Sequence, residues 1–188
     1  MEVATVSESL ALFLKQQHVG PGNVGEFRES IDRVITLLAI SRADDNEKQA
    51  LVAETEKLLE LVAEQDPNME RLARQDRVLN LLLARMSRNP IFEWIMETLQ
   101  QGFSSHDYAL YAKPYYRRKT ADNWHETARY IAANDVLKAL ASIGTHYVLL
   151  RACVDNEEGS PSEPMAEKRT AARSLPEYAF FAHNQGEI

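Results

Sequence analysis

The sequence is short of several things, and each shortage narrows what it can be. It has one cysteine, Cys153, in 188 residues, which excludes an internal disulfide framework and fits a reducing compartment. Glycine and proline number seven each, and they fall in clusters. No Val/Ile/Thr-rich alternating run occurs, so nothing argues for a sheet. No apolar stretch approaches the ~20 residues that a membrane-spanning helix needs. The N-terminus lacks a basic start followed by an apolar run, so no signal peptide is expected and a cytoplasmic setting is. Basic residues are the minority: 21 Lys and Arg against 28 Asp and Glu, a formal charge of -7. Such a chain has no electrostatic footprint for a phosphate backbone, and nucleic-acid binding by this chain alone is disfavoured. There is no Glu-x-x-His pair, no His-Glu-x-x-His, no nucleophile elbow and no Gly-rich phosphate loop, so the chain does not read as an enzyme.

What is present suits one helical domain. Apolar residues make up 45% and charged residues 26%, enough to bury a core. A first helix is expected over about 7–17, then a turn at Gly20-Pro21-Gly22-Asn23. A long helix over about 24–43 carries Phe27, Ile31, Val34, Ile35 and Leu38 at helical spacing. Asp44-Asp45-Asn46 ends it and supplies a cap for the next, about 47–64. Asp66-Pro67 and Asn89-Pro90 each read as a cap followed by proline at the first helical position. Residues 103–117 read as a loop or an irregular helix. Asn123 is a candidate cap for a helix ending near Ala133, and Asp135 for a last one from 136 to about 153. The fold class expected is all-α, an antiparallel bundle of six or seven helices with an internal ligand cavity.

Polar groups stand out within the helical segments. Asp76 and Asn80 lie one turn apart on one face. His125 and His146 lie on consecutive helices separated by the Asn134-Asp135 break. If those helices pair antiparallel, both imidazoles reach one level, and a carboxylate, an amide and two imidazoles converging in a bundle form a metal-site pattern. The bland alternatives stay open at this point. Asp76 could be a surface partner of Arg74 or Arg77, Asn80 could bond within its helix, and either histidine could be merely exposed or satisfied.

The order of short motifs adds to this. Glu26-Phe27-Arg28, Asp76-Arg77-Val78-Leu79-Asn80, Ser87-Arg88-Asn89-Pro90, Trp124-His125-Glu126, Ala133-Asn134-Asp135 and Thr145-His146-Tyr147 together resemble the FCD domain. That is the C-terminal effector-binding domain of the FadR subgroup of GntR-type bacterial transcription regulators. The resemblance covers roughly residues 24–153. It implies a divalent metal, Zn or Ni, held by Asp76, Asn80, His125 and His146, and a small carboxylate effector gripped by Arg28. Arg118, about two turns before His125, either closes the pocket mouth or belongs to a solvated basic corner. A surface ion pair of Arg28 with Glu26, Glu29 or Asp32 is the competing reading. The resemblance also implies a homodimer. Asn80 stands where the family pattern has histidine, and an amide oxygen is the poorer ligand. The family's winged helix-turn-helix, the part that would touch DNA, finds no counterpart in the residues before the domain. The expected layout is a linker and first helix over 1–22, the effector-binding domain over 23–155 and a mobile tail over 156–188. A dimerisation or partner-binding module without metal is the second reading.

Overall fold

The computed structural model describes residues 8, 9, 12, 13, 21–102 and 109–158. Six helices carry the architecture: α1 (Pro21–Arg42), α2 (Asp45–Ala63), α3 (Met69–Met86), α4 (Pro90–Gly102), α5 (Pro114–Ala132) and α6 (Val136–Glu158). A further helical turn covers 109–112, and residues 8, 9, 12 and 13 are helical. There is no strand among the described residues. The fold is an all-α bundle. No helix among the described residues is long and apolar enough to cross a membrane. The remainder of the expected first helix, Tyr108 and the tail beyond 158 lie outside the described residues.

Local chemistry sets most helix ends. Asp44 caps α2 through a full capping box: its carboxylate accepts from the Glu47 amide, and Glu47 returns the bond to the Asp44 amide. Asn89 accepts from the amide of Ile91 with Pro90 opening α4, and Asp135 accepts from the amide of Lys138 at the start of α6. Arg88 and Asn134 follow the ends of α3 and α5 in the left-handed region, at φ 52° and 57°. Asn134 then receives the buried ammonium of Lys48 at 2.7 Å.

Three expected boundaries are corrected. Residues 21–23 of the expected turn do not form one, because Pro21 already opens α1. Asp66 does not cap α3. Asn68 does, its side chain accepting from the Arg71 amide, which leaves Pro67 outside the helix. Asn123 caps nothing. Proline at the first position starts α5 at Pro114, and no breaker interrupts the chain before Ala132. Asn123 is therefore mid-helix and buried, donating to the carbonyl and hydroxyl of Ser142 at 2.9 and 3.0 Å.

Packing places α5 at the centre, with α2 on one side and α6 on the other, and α1 touching α3, α5 and α6. Leu51 and Leu58 of α2, Leu72 and Leu79 of α3 and Ile131 of α5 are fully buried in one cluster. Each contributes roughly 1.5–3 kcal/mol of transfer free energy. Leu110, Ile143, Tyr147, Leu150 and Cys153 form a second cluster under α6. Gly144 lets a flexible arginine pass close over α6. A Cβ there would lie 2.8 Å from a guanidinium nitrogen of Arg33, which crosses α6 to donate to the carbonyl of Leu140.

Glu29 ties α1 to α6 by accepting from Arg33 at 2.8 Å and Arg151 at 3.0 Å. The bond from Arg33 does most to hold its carboxyl below the usual carboxylate range, against partial burial and with help from Arg151. A carboxyl whose folded pKa is depressed adds stability above its unfolded pKa and loses it as pH falls through the folded value. The expected result is a loss of stability on acidification below about pH 5 that is shallower in Glu29→Gln than in the wild type. Urea titrations at stepped pH measure it.

Candidate functional site

Asp76 is the hub of the interior. It sits on the buried face of α3, a stripe that includes Leu72, Leu79, Asn80 and Leu83, and is 3% exposed. A buried carboxylate is tolerated only when its oxygens find donors. Here Oδ1 accepts from the hydroxyl of Tyr111 at 2.8 Å and from the indole N–H of Trp124 at 2.9 Å. Oδ2 accepts from the amide nitrogen of Asn80 at 2.8 Å. The Asn80 carbonyl oxygen in turn accepts from Arg28 at 3.0 Å. Arg28 also meets Asp32 one turn along α1, at 3.4 Å, and Asp32 receives the hydroxyl of Tyr147 from α6. One chain of bonds thus crosses the bundle from α5 through α3 and α1 to α6.

A narrow hollow adjoins this chain. Its wall is polar at Asp32, Asn80, Asn123, Thr127 and His146, and apolar at Ile35, Leu83, Met96, Trp124 and Ile143. The space open to the centre of a water-sized sphere is about 20 Å³, which holds about one or two waters. The buried hydroxyls of Thr36 and Thr120 and the amide of Gln100 have no hydrogen-bond partner among the described residues. Each lies one helical turn from a residue of the hollow or its border: Thr36 from Asp32, Gln100 from Met96 and Thr120 from Trp124.

The residues singled out in the sequence divide accordingly. Asp76 and Asn80 are bonded to each other, and Arg28 joins them. His146 shares the hollow with Asn80. His125 is not brought there. Its Nδ1 lies 3.0 Å from the hydroxyl of Thr55 on α2, and the ring lines an open groove with Gln49, Val52, Glu56 and Arg129. The Thr55 hydroxyl donates its hydrogen to the carbonyl of Val52, so Nδ1 of His125 is the donor in that pair. Arg118 lies on the outside, 58% exposed and paired with Asp122 at 3.0 Å.

The residue of α5 that faces Asp76 is Trp124, one place before His125. The buried stripe of α5 runs through Thr120, Ala121, Trp124, Ala128 and Ile131. His125, about 100° further round the helix, turns to α2. Trp124, Tyr111, Asp32 and Tyr147 join the network and are not among the candidate site residues that the sequence offers. An aromatic with a polar tip needs a partner when buried, and that was the available signal for Trp124 and Tyr111.

A divalent metal is implied by the resemblance, and the described residues do not fit one. The oxygens of Asp76 are taken by N–H and O–H donors, and the amide oxygen of Asn80 faces a guanidinium. No group of three or more His, Cys, Asp or Glu side chains among the described residues could hold a metal ion.

The chain is an all-helical bundle with a small polar-walled hollow. The FCD domain family model matches residues 23–149. The chain belongs to the FCD domain family. No curated protein and no solved structure matches it.

Proposed function

We propose that this chain is the effector-binding domain of a GntR-type regulator, and that its effector is a small organic acid received at the hollow between α1, α3, α5 and α6. FCD domains are regulatory, effector-binding units rather than catalytic ones. The observation that carries the reading is the wall itself. Five polar side chains from four helices meet where a bundle core needs none, a pattern that positions a ligand. The nearby Arg28 gives the acid its counter-charge, and His146 offers it a ring nitrogen. The hollow is smaller than any such acid, so binding must open the wall, and a ligand that favours the opened arrangement shifts the population of the bundle. Contact with DNA then belongs to a winged helix-turn-helix, which the described residues do not form.

A thermal-shift screen over mono- and dicarboxylates tests this. At a hundred times its Kd, a true effector raises the melting temperature by about 5–10 °C. The His146→Ala variant, which removes one wall, is expected to show little of that rise. A flat response across the screen counts against the reading.

A second reading, a dimerisation module without a ligand, is favoured by one observation. Phe27, Val34 and Leu37 of α1 and Leu137 and Val148 of α6 are exposed at 40% or more on two helices that pack together. A homodimer is compatible with both readings. A stable dimer on a sizing column with no response to any acid would favour the second.

A further inference from the structure

We infer that this site works without a divalent cation, the guanidinium of Arg28 supplying beside Asn80 the positive charge that a metal ion would otherwise bring. The assignment deepens the effector reading by making the acid's binding independent of metal, but the geometry that supports it does not depend on any effector.

A metal ion needs lone pairs directed at it. Those of Asp76 are engaged by Tyr111, Trp124 and Asn80. The indole N–H can only donate, so Trp124 offers nothing to a cation and holds Oδ1 against one. The orientation of the Asn80 amide is forced by its neighbours. A carboxylate only accepts and a guanidinium only donates. The amide nitrogen must therefore face Asp76 and the oxygen Arg28, as they do at 2.8 and 3.0 Å. Asparagine is suited to this place because one neutral amide serves both partners at once.

Arg28 cannot lose its proton. An ion coordinated by the Asn80 oxygen would lie against a permanent cation, and expelling that cation would strip the buried Asp32 of its charge partner. The imidazoles do not compensate. His125 is bonded to Thr55 on α2, and of the two only His146 lines the hollow. The effector's carboxylate is thus met by the guanidinium of Arg28, in a site that chelators leave intact.

The experiment uses the full chain purified without chelator and without a metal-affinity tag. Metal content by elemental analysis is expected below about 0.1 per chain, and EDTA or added Zn or Ni is expected to leave the melting temperature within about 1 °C. Stoichiometric metal that is lost on Asp76→Asn, or a melting temperature that falls by several degrees in EDTA, overturns the assignment. The carboxylate screen is run in EDTA and again with Zn. A shift in EDTA supports both the metal-free site and the effector reading. A shift only with Zn sinks the metal-free site and keeps the effector. Metal-free protein that answers to no acid sinks the effector reading and leaves the metal-free site standing.

Discussion

Asp76→Ala is expected to lower stability by about 3–5 kcal/mol, seen as a fall of roughly 10 °C or more in melting temperature. The reason lies in what it leaves behind. The hydroxyl of Tyr111 and the indole N–H of Trp124 lose this acceptor at once, and the amide of Asn80 keeps only the backbone carbonyl of residue 76, in an interior where Asp76 and Tyr111 are 3% and 0% exposed. An unmet buried donor costs more than the bond it made. Tyr111→Phe, by contrast, removes one donor while Asp76 keeps two, and should cost about 1 kcal/mol. The double variant is expected to lose less than the sum, because the orphaned hydroxyl is gone. Chemical denaturation of the four proteins closes this cycle. A cost for Asp76→Ala no greater than that for an exposed carboxylate such as Glu70 would show that the hub does not hold the bundle.

Arg28→Met is the second large effect, expected at about 3 kcal/mol. Both partners of the ion pair are largely buried, at 12% and 10% side-chain exposure, so removing the cation leaves the buried Asp32 with, among the described residues, only the Tyr147 hydroxyl to serve it. The cost is therefore that of a stranded charge and not the net worth of the pair. Asp32→Asn made on top of Arg28→Met should recover most of the loss, to within about 1 kcal/mol of the wild type. No recovery would place the cost in lost packing of the arginine stem.

These two variants probe the part of the molecule that local sequence shows least. The helices themselves were legible. Apolar residues recur at helical spacing through α1 to α3, and the capping residues Asp44, Asn89 and Asp135 stand where the helices start. Asn123 shows the limit of that method. Residue types that cap helices also bridge them, and only the position of Pro114 decides which role applies. Asp76 and Asn80 were legible because a one-turn spacing puts them on one face whatever surrounds them. The histidines were not, since placing His125 needs the phase of α5 against both α2 and α3, and a slip of one residue exchanges Trp124 for His125. The bond from Tyr147 to Asp32 spans 115 positions, and Tyr111 comes from a stretch with no clear period. Neither leaves a local trace.

The indole of Trp124 bears on more than stability. It is both a wall of the hollow and a donor to a carboxylate, and the chain has only two tryptophans. Replacing Trp94 by phenylalanine leaves Trp124 as the single indole, excited at the red edge apart from the tyrosines. Its colour and quantum yield then become an internal gauge of whether water, an acid or nothing stands beside it, with no dye attached.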